Sequence, residues 1–111
     1  MPESFIREAL EASRLFAWIK RIDSKIIGKV AKARLWLNDE FVEVYYNAQT
    51  NSISFAYIQE EERVFGANNM RIGWHVHPFR EVGSHESSSP LSITEFLQAL
   101  EGELRQRGEL P

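Results

Sequence analysis

KVAKARLWLNDEFVEVYYN, residues 29–47, decides the fold. From Lys29 to Asn38 apolar side chains recur at every second position. Ala31, Ala33, Leu35 and Leu37 share one side and Lys32, Arg34 and Trp36 the other, the period of a half-buried strand. Asn38-Asp39-Glu40 has turn chemistry, and Phe41 to Asn47 resumes the alternation with Val42, Val44 and Tyr46 against Phe41, Glu43 and Tyr45. The stretch therefore reads as a β-hairpin.

Working outward, Ile53 to Gln59 is rich in β-branched and aromatic residues and makes a third strand. Glu60-Glu61-Glu62 reads as a solvated hairpin tip, with Arg63-Val64-Phe65 opening the next segment. Asn68-Asn69 suits the left-handed conformations of a tight turn, a task Gly66 would serve equally. Met70 to His77 alternates again, with Met70, Ile72, Trp74 and Val76 opposite Arg71, Gly73, His75 and His77, until Pro78 ends the strand. At the N-terminal end, Glu3 to about Ile22 carries the three-and-four spacing of a helix, with an apolar surface wide enough for more than one partner, a dimer contact included. Gly28 then marks the change of period. At the other end Ser92-Ile93-Thr94-Glu95 is a capping box, followed by the stripe Ile93, Phe96, Leu97, Leu100 and Leu104 and a stop at Gly108.

The expected fold is α+β: an N-terminal helix, an antiparallel meander of four to five strands, and a C-terminal helix packed on one sheet face. A chain of 111 residues builds one domain, here 1–111, with the helix and its connection over 1–28, sheet over 29–78, loop over 79–91 and C-terminal helix over 92–107. No apolar run approaches the roughly 18 residues of a membrane span. The first 22 residues carry charges throughout, unlike a signal peptide, and there is no cysteine. We expect a cytoplasmic protein with no membrane contact, no disulfide and no thiolate chemistry. A net charge of −3 argues against non-specific nucleic-acid binding by the chain as a whole.

All three histidines fall in Trp74 to Glu86: His75, His77 and His85. On a strand His75 and His77 project from one face, which would also carry Lys32, Arg34, Trp36, Glu43, Tyr45 and Arg71. Three chemistries fit. Imidazoles at 75, 77 and 85 with Glu81, or Glu86, supply ligands for a divalent transition metal as cofactor. His75-x-His77 with Glu81 matches half of a cupin motif, but the second histidine motif downstream is missing, so we set the cupin aside. Alternatively His75, His77 and His85 act as general acid and base on a phosphodiester, helped by Arg71, with Arg80, Arg34, Trp36 and Tyr45 as substrate-binding residues. The plain alternative has His85 as an ordinary surface residue beside a flexible serine loop, and His75 and His77 bonded to Glu43 to fix strand register. The position of His85, folded back on the pair or turned to solvent, separates a site from plain surface.

Arg63-Val64-Phe65, Asn68-Asn69 and His75-Val76-His77-Pro78, in that order before a C-terminal helix, resemble the TumE-like family over roughly residues 29–104. Its members are small proteins encoded as toxins of toxin-antitoxin pairs. The chain departs from the family in having Asn68 and Trp74 where an Asp and further histidines are usual, and in its N-terminal helix. The resemblance implies a toxin component, a small DNA-binding antitoxin as partner, and RNA or the translation machinery as target. The competing classes are a non-enzymatic protein-binding module, a homodimer formed through the mixed aromatic and charged face, and a small metalloprotein.

Overall fold

The computed structural model describes residues 1–70, 73–81 and 83–111. In chain order the elements are α1 (Pro2–Ser13), β1 (Arg21–Ile27), β2 (Val30–Leu37), β3 (Glu40–Asn47), β4 (Ser52–Gln59), β5 (Glu62–Asn68), β6 (His75–His77), β7 (Glu86–Ser87) and α2 (Ile93–Gln106). The strands form one seven-stranded antiparallel sheet whose spatial order is the order of the chain. The α+β architecture is the expected one, with more strands than the sequence pattern suggested.

The two-residue period sorts the sheet into two faces. Ala31, Ala33, Leu35, Leu37, Val42, Val44, Phe55, Tyr57, Phe65 and Ala67 are buried on the inner face. Both helices cover it. Phe5 of α1 stacks on Tyr46 at 5.3 Å, and Phe96 of α2 packs between Phe55 and Phe65 at 5.3 and 5.2 Å. The whole predicted stripe Ile93, Phe96, Leu97, Leu100 and Leu104 is buried, and the Ser92–Glu95 capping box closes in both directions at 3.0 and 2.8 Å. Phe79 joins this core beside Tyr57 and Phe65. Tyr57 donates to Glu40 at 2.5 Å, and burial followed by that bond holds its hydroxyl protonated far above the ordinary range.

The first helix stops at Ser13, nine residues before the expected end at Ile22. Phe16 and Trp18 continue to bury themselves from a run of turns, Leu15 N–H to Ala12 carbonyl and Phe16 N–H to Ser13 carbonyl, so the apolar spacing persists after the helix has ended. Arg21–Ile27 then pairs residue for residue with β2 through the turn at Gly28, whose φ of +59° a side chain would disfavour. Its polar, mostly exposed side chains hid this strand from periodicity.

Two further differences lie near β6. The described strand covers only His75–His77. Asn68 and Asn69 make side-chain bonds before it, Asn68 Oδ1 accepting from Met70 N–H and Asn69 bridging Ile53 and Asn51, and neither takes a positive φ, which Gly73 does. Gly66 lies inside β5, so it makes no turn.

The β4–β5 turn places both Glu60 and Glu61 at positive φ, +49° and +68°, at the predicted hairpin tip. Left-handed backbone costs a non-glycine residue about 1–2 kcal/mol, and Asn-Gly is the pair this turn geometry favours. Replacing Glu60 by Asn together with Glu61 by Gly is expected to stabilise the protein by about 1 kcal/mol or more in chemical denaturation. An unchanged or lowered midpoint would contradict this turn geometry.

Candidate functional site: a histidine cluster at the sheet edge

Register carries the outer face across the whole sheet. One row runs Asp23, Arg34, Glu43, Ala56, Gly66, His77, and the next Lys25, Lys32, Tyr45, Ser54, Asn68, His75, Ser87. Continuing the β6–β7 register by one step sets His85 opposite His77. The β6–β7 hairpin thus returns the third histidine to the pair. Ring centroids are 5.0 Å apart for His75 and His77, 5.4 Å for His75 and His85, and 6.0 Å for His77 and His85. His75 is only 9% exposed, His77 is half-buried and His85 is open to solvent.

A bulge brings in a fourth group. Tyr57 pairs with Phe65 but Ile58 pairs with Arg63, so Val64 is the extra residue and Arg63 is turned to the histidine face. The Val64 carbonyl accepts the N–H of Arg80 at 2.6 Å, which anchors the segment after β6 to the bulge. Arg63 reaches His77 by lying across Gly66. A Cβ at Gly66 would come within 2.9 Å of Arg63 Cδ and 3.0 Å of the Phe55 carbonyl oxygen. The close approach of a side chain explains this glycine.

Hydrogen bonds assign the ring nitrogens. His75 Nδ1 lies 2.9 Å from the Gly73 carbonyl, which can only accept, so Nδ1 carries a proton and Nε2 holds the lone pair of the neutral ring. His77 Nδ1 faces the Arg63 guanidinium at 3.2 Å, which can only donate. Its Nε2 lies 3.4 Å from Asn68 Nδ2, the NH₂ end of an amide whose oxygen is held by Met70. Donors on both sides disfavour an imidazolium. Burial first, then the charge of Arg63, hold His77 below the ordinary imidazole value of 6.5, with smaller repulsion from His75 and His85, while a bond to the Ser84 backbone pulls the other way.

The remaining candidates are placed as follows. Arg71 lies outside the described residues. Arg80 is turned away from the cluster: its guanidinium makes two 2.8 Å bonds to Glu109 and one of 2.9 Å to Gln59, and this pairing holds the Glu109 carboxyl below the usual range. Tyr45 shares the row of His75 but sits three strands away, about 14 Å at ordinary strand spacing. Arg34 and Trp36 are one strand further, Arg34 over the Phe41 ring at 4.5 Å and Trp36 donating to Asp23 at 2.9 Å. Glu43 pairs with Lys32 at 3.6 Å rather than with a histidine. Glu81 is exposed on the turn after Pro78. Among the described residues no group of three or more His, Cys, Asp or Glu side chains is arranged to hold a metal ion. No helix among them is long and apolar enough to cross a membrane. The neighbours of the histidines that single-site reasoning missed are Arg63, Gly66 and the amide of Asn68. For Arg63 and Asn68 a signal was present in the order of the Arg-aromatic segment, the Asn pair and the histidine pair; Gly66 lies outside those segments.

Fold and site together define an α+β domain with three histidines and an arginine gathered at one sheet edge. Comparisons with known protein families, with curated proteins and with solved structures find no match.

In an NMR titration the His77 ring should show a midpoint below 6.5, and Arg63→Met should raise it without fully restoring 6.5, since burial persists. Gly66→Ala, by pushing Arg63 aside, should move it the same way. Because the folded value lies below the unfolded one, neutral His77 contributes stability above about pH 6.5, and that contribution is lost as pH falls through the folded value. A wild-type midpoint at or above 6.5 would sink this account of the donors and burial around His77.

Proposed function

We propose that the outer face binds single-stranded RNA and that the histidine cluster cleaves it without a metal, as the toxin component of a toxin-antitoxin pair. The observation that carries this reading is the meeting of three imidazoles with two hydrogen-bond donors, Arg63 and Asn68, at one edge. Arginine and amide donors suit the non-bridging oxygens of a phosphate. Arg63, Asn68, His75 and His77, four of the residues within the TumE-like resemblance, meet there.

The charge of the face supports a polyanion. Among the described strand residues the outer face carries Arg21, Lys25, Lys32, Arg34 and Arg63 against Asp23 and Glu43, in a chain whose net charge is −3. The small residues Ser54 and Ala56 leave a shallow trough between this basic side and the histidines, bordered by Tyr45 and Met70. Tyr45, Arg34 and Trp36 lie too far from the cluster to touch the reacting phosphate, but a strand several nucleotides long spans the distance.

In this mechanism His75 Nε2 takes the proton of a ribose 2′-hydroxyl as that oxygen attacks phosphorus. The bond from phosphorus to the 5′-oxygen breaks, and His85, the solvent-facing ring, donates the proton that the leaving oxygen requires. The products are a 2′,3′-cyclic phosphate and a 5′-hydroxyl. Arg63 and the Asn68 amide stabilise the charge that builds on the non-bridging oxygens, and neutral His77 packs between them and the two working rings.

A divalent metal held by His75, His77 and His85 is the competing reading. The bond from His75 Nδ1 to Gly73 favours it by leaving Nε2 free to ligate, whereas the guanidinium beside His77 opposes a dication. The test is cleavage of a single-stranded RNA by the purified full chain with and without chelator. Expected are chelator-resistant cleavage with cyclic-phosphate ends and a loss of about 10²–10⁴-fold in His75→Ala and His85→Ala. Absence of cleavage sinks the enzymatic reading, and activity abolished by chelator moves it to the metal.

A further inference from the structure

The sheet has two edges of very different character. β7 is only two residues long, which leaves little backbone to recruit another strand. β1 is seven residues long, paired with β2 at every position without a bulge and without proline, and no described strand pairs with its other side. Six of its seven residues are exposed. The large apolar side chains exposed among the described residues are Met1, Leu10, Leu15, Ile26 and Ile27, all in β1, in α1 that packs beside it, or in the residues flanking that helix.

We infer that β1 is a dimerisation edge: two copies of this chain pair their β1 strands antiparallel about a two-fold axis through Ser24, joining the two sheets into one of fourteen strands. The occupant is argued from the strand's own charges. A two-fold axis normal to the sheet keeps inner faces together, so only registers centred on a residue are allowed. Centred on Ser24, all seven residues overlap. On the outer face Asp23 meets the partner's Lys25, and Lys25 meets Asp23 of the partner subunit, while on the inner face Ile22 meets the partner's Ile26 twice over. Centred on Asp23, the strand would set Asp23 against itself and Arg21 against Lys25. Centred on Lys25 it would set Lys25 against itself. Axes at Ile22 or Ile26 leave three residues paired. Like charges directly opposite are destabilising and opposite charges favourable, so one register is selected. That register also covers Ile26, which α1 and β2 leave 39% exposed.

The seam lies at the far end of the sheet from the histidines, so this inference stands or falls apart from the RNA reading. Sedimentation equilibrium of the full chain should give a mass twice 12.9 kDa as concentration rises. Lys25→Asp sets carboxylates against carboxylates and Asp23→Lys ammonium groups against ammonium groups. Each should weaken the dimer by about tenfold or more. Mixed in equal amounts, the two variants should pair with each other, because each seam then joins an acidic strand to a basic one. Circular dichroism and thermal unfolding check that both variants fold. A protein monomeric at every concentration, a dimer indifferent to both substitutions, or variants that fail to pair on mixing each overturns the inference.

Discussion

The structure depends on keeping one face of a long antiparallel sheet dry. Every strand position is committed by it to one of two environments. From β2 to β5 the buried inner positions are Ala, Val, Leu, Phe or a satisfied Tyr, and both helices owe their docking to those rows. The outer rows are released from packing and are free to carry charge. A break in the alternation has to be bridged structurally, and the bulge at Val64 is such a break. It turns Arg63 outward while Phe65 stays in the core, and it offers a carbonyl that Arg80 N–H occupies. Core and site are therefore joined at one residue.

Around the cluster, charge and tautomer are set by neighbours the chain supplies locally. Gly73 fixes the proton of His75, and Asn68 reaches His77 while its oxygen shapes the turn that leads into β6. Arg63 reaches His77 only because Gly66 has no side chain. These are short-range devices, built from residues within fifteen positions of one another. They hold the rings of His75 and His77, and the link of the C-terminal segment through Arg80 and Glu109 lies away from those rings.

Much of the fold was legible because the sheet's two-residue period is nearly uninterrupted from Lys29 to Gln59, and because the second helix announces both its start and its buried stripe. β1 was not legible. Its inner positions are Ile22, Ser24 and Ile26, a row with a polar residue at its centre, and Phe16 and Ile19 before it mimic a helical repeat while lying in turns. The site was half legible. Three histidines within eleven residues marked the place, and the return of His85 follows from a hairpin register that no local pattern encodes. Arg63 was hidden by the bulge, since strict alternation from Phe65 would bury it. Arg80 was misplaced because an arginine beside a histidine pair in sequence is carried past it by the turn that follows Pro78.

The chain-order arrangement of the strands bears on how the protein comes to be folded. Each strand finds its partner by closing a short connection, so the entropy lost in each step is small and the sheet can grow as a zipper from the hairpin of residues 30–47. Growth toward the C-terminal side ends in the three-residue and two-residue strands that hold the histidines, where the fewest backbone bonds reward the ordering. During synthesis these strands emerge before the helix that seals the core behind them. A nascent chain therefore adds its histidine edge last among the strands but before that helix, and with the fewest backbone bonds this edge is the part of the sheet that opens most cheaply in the finished molecule.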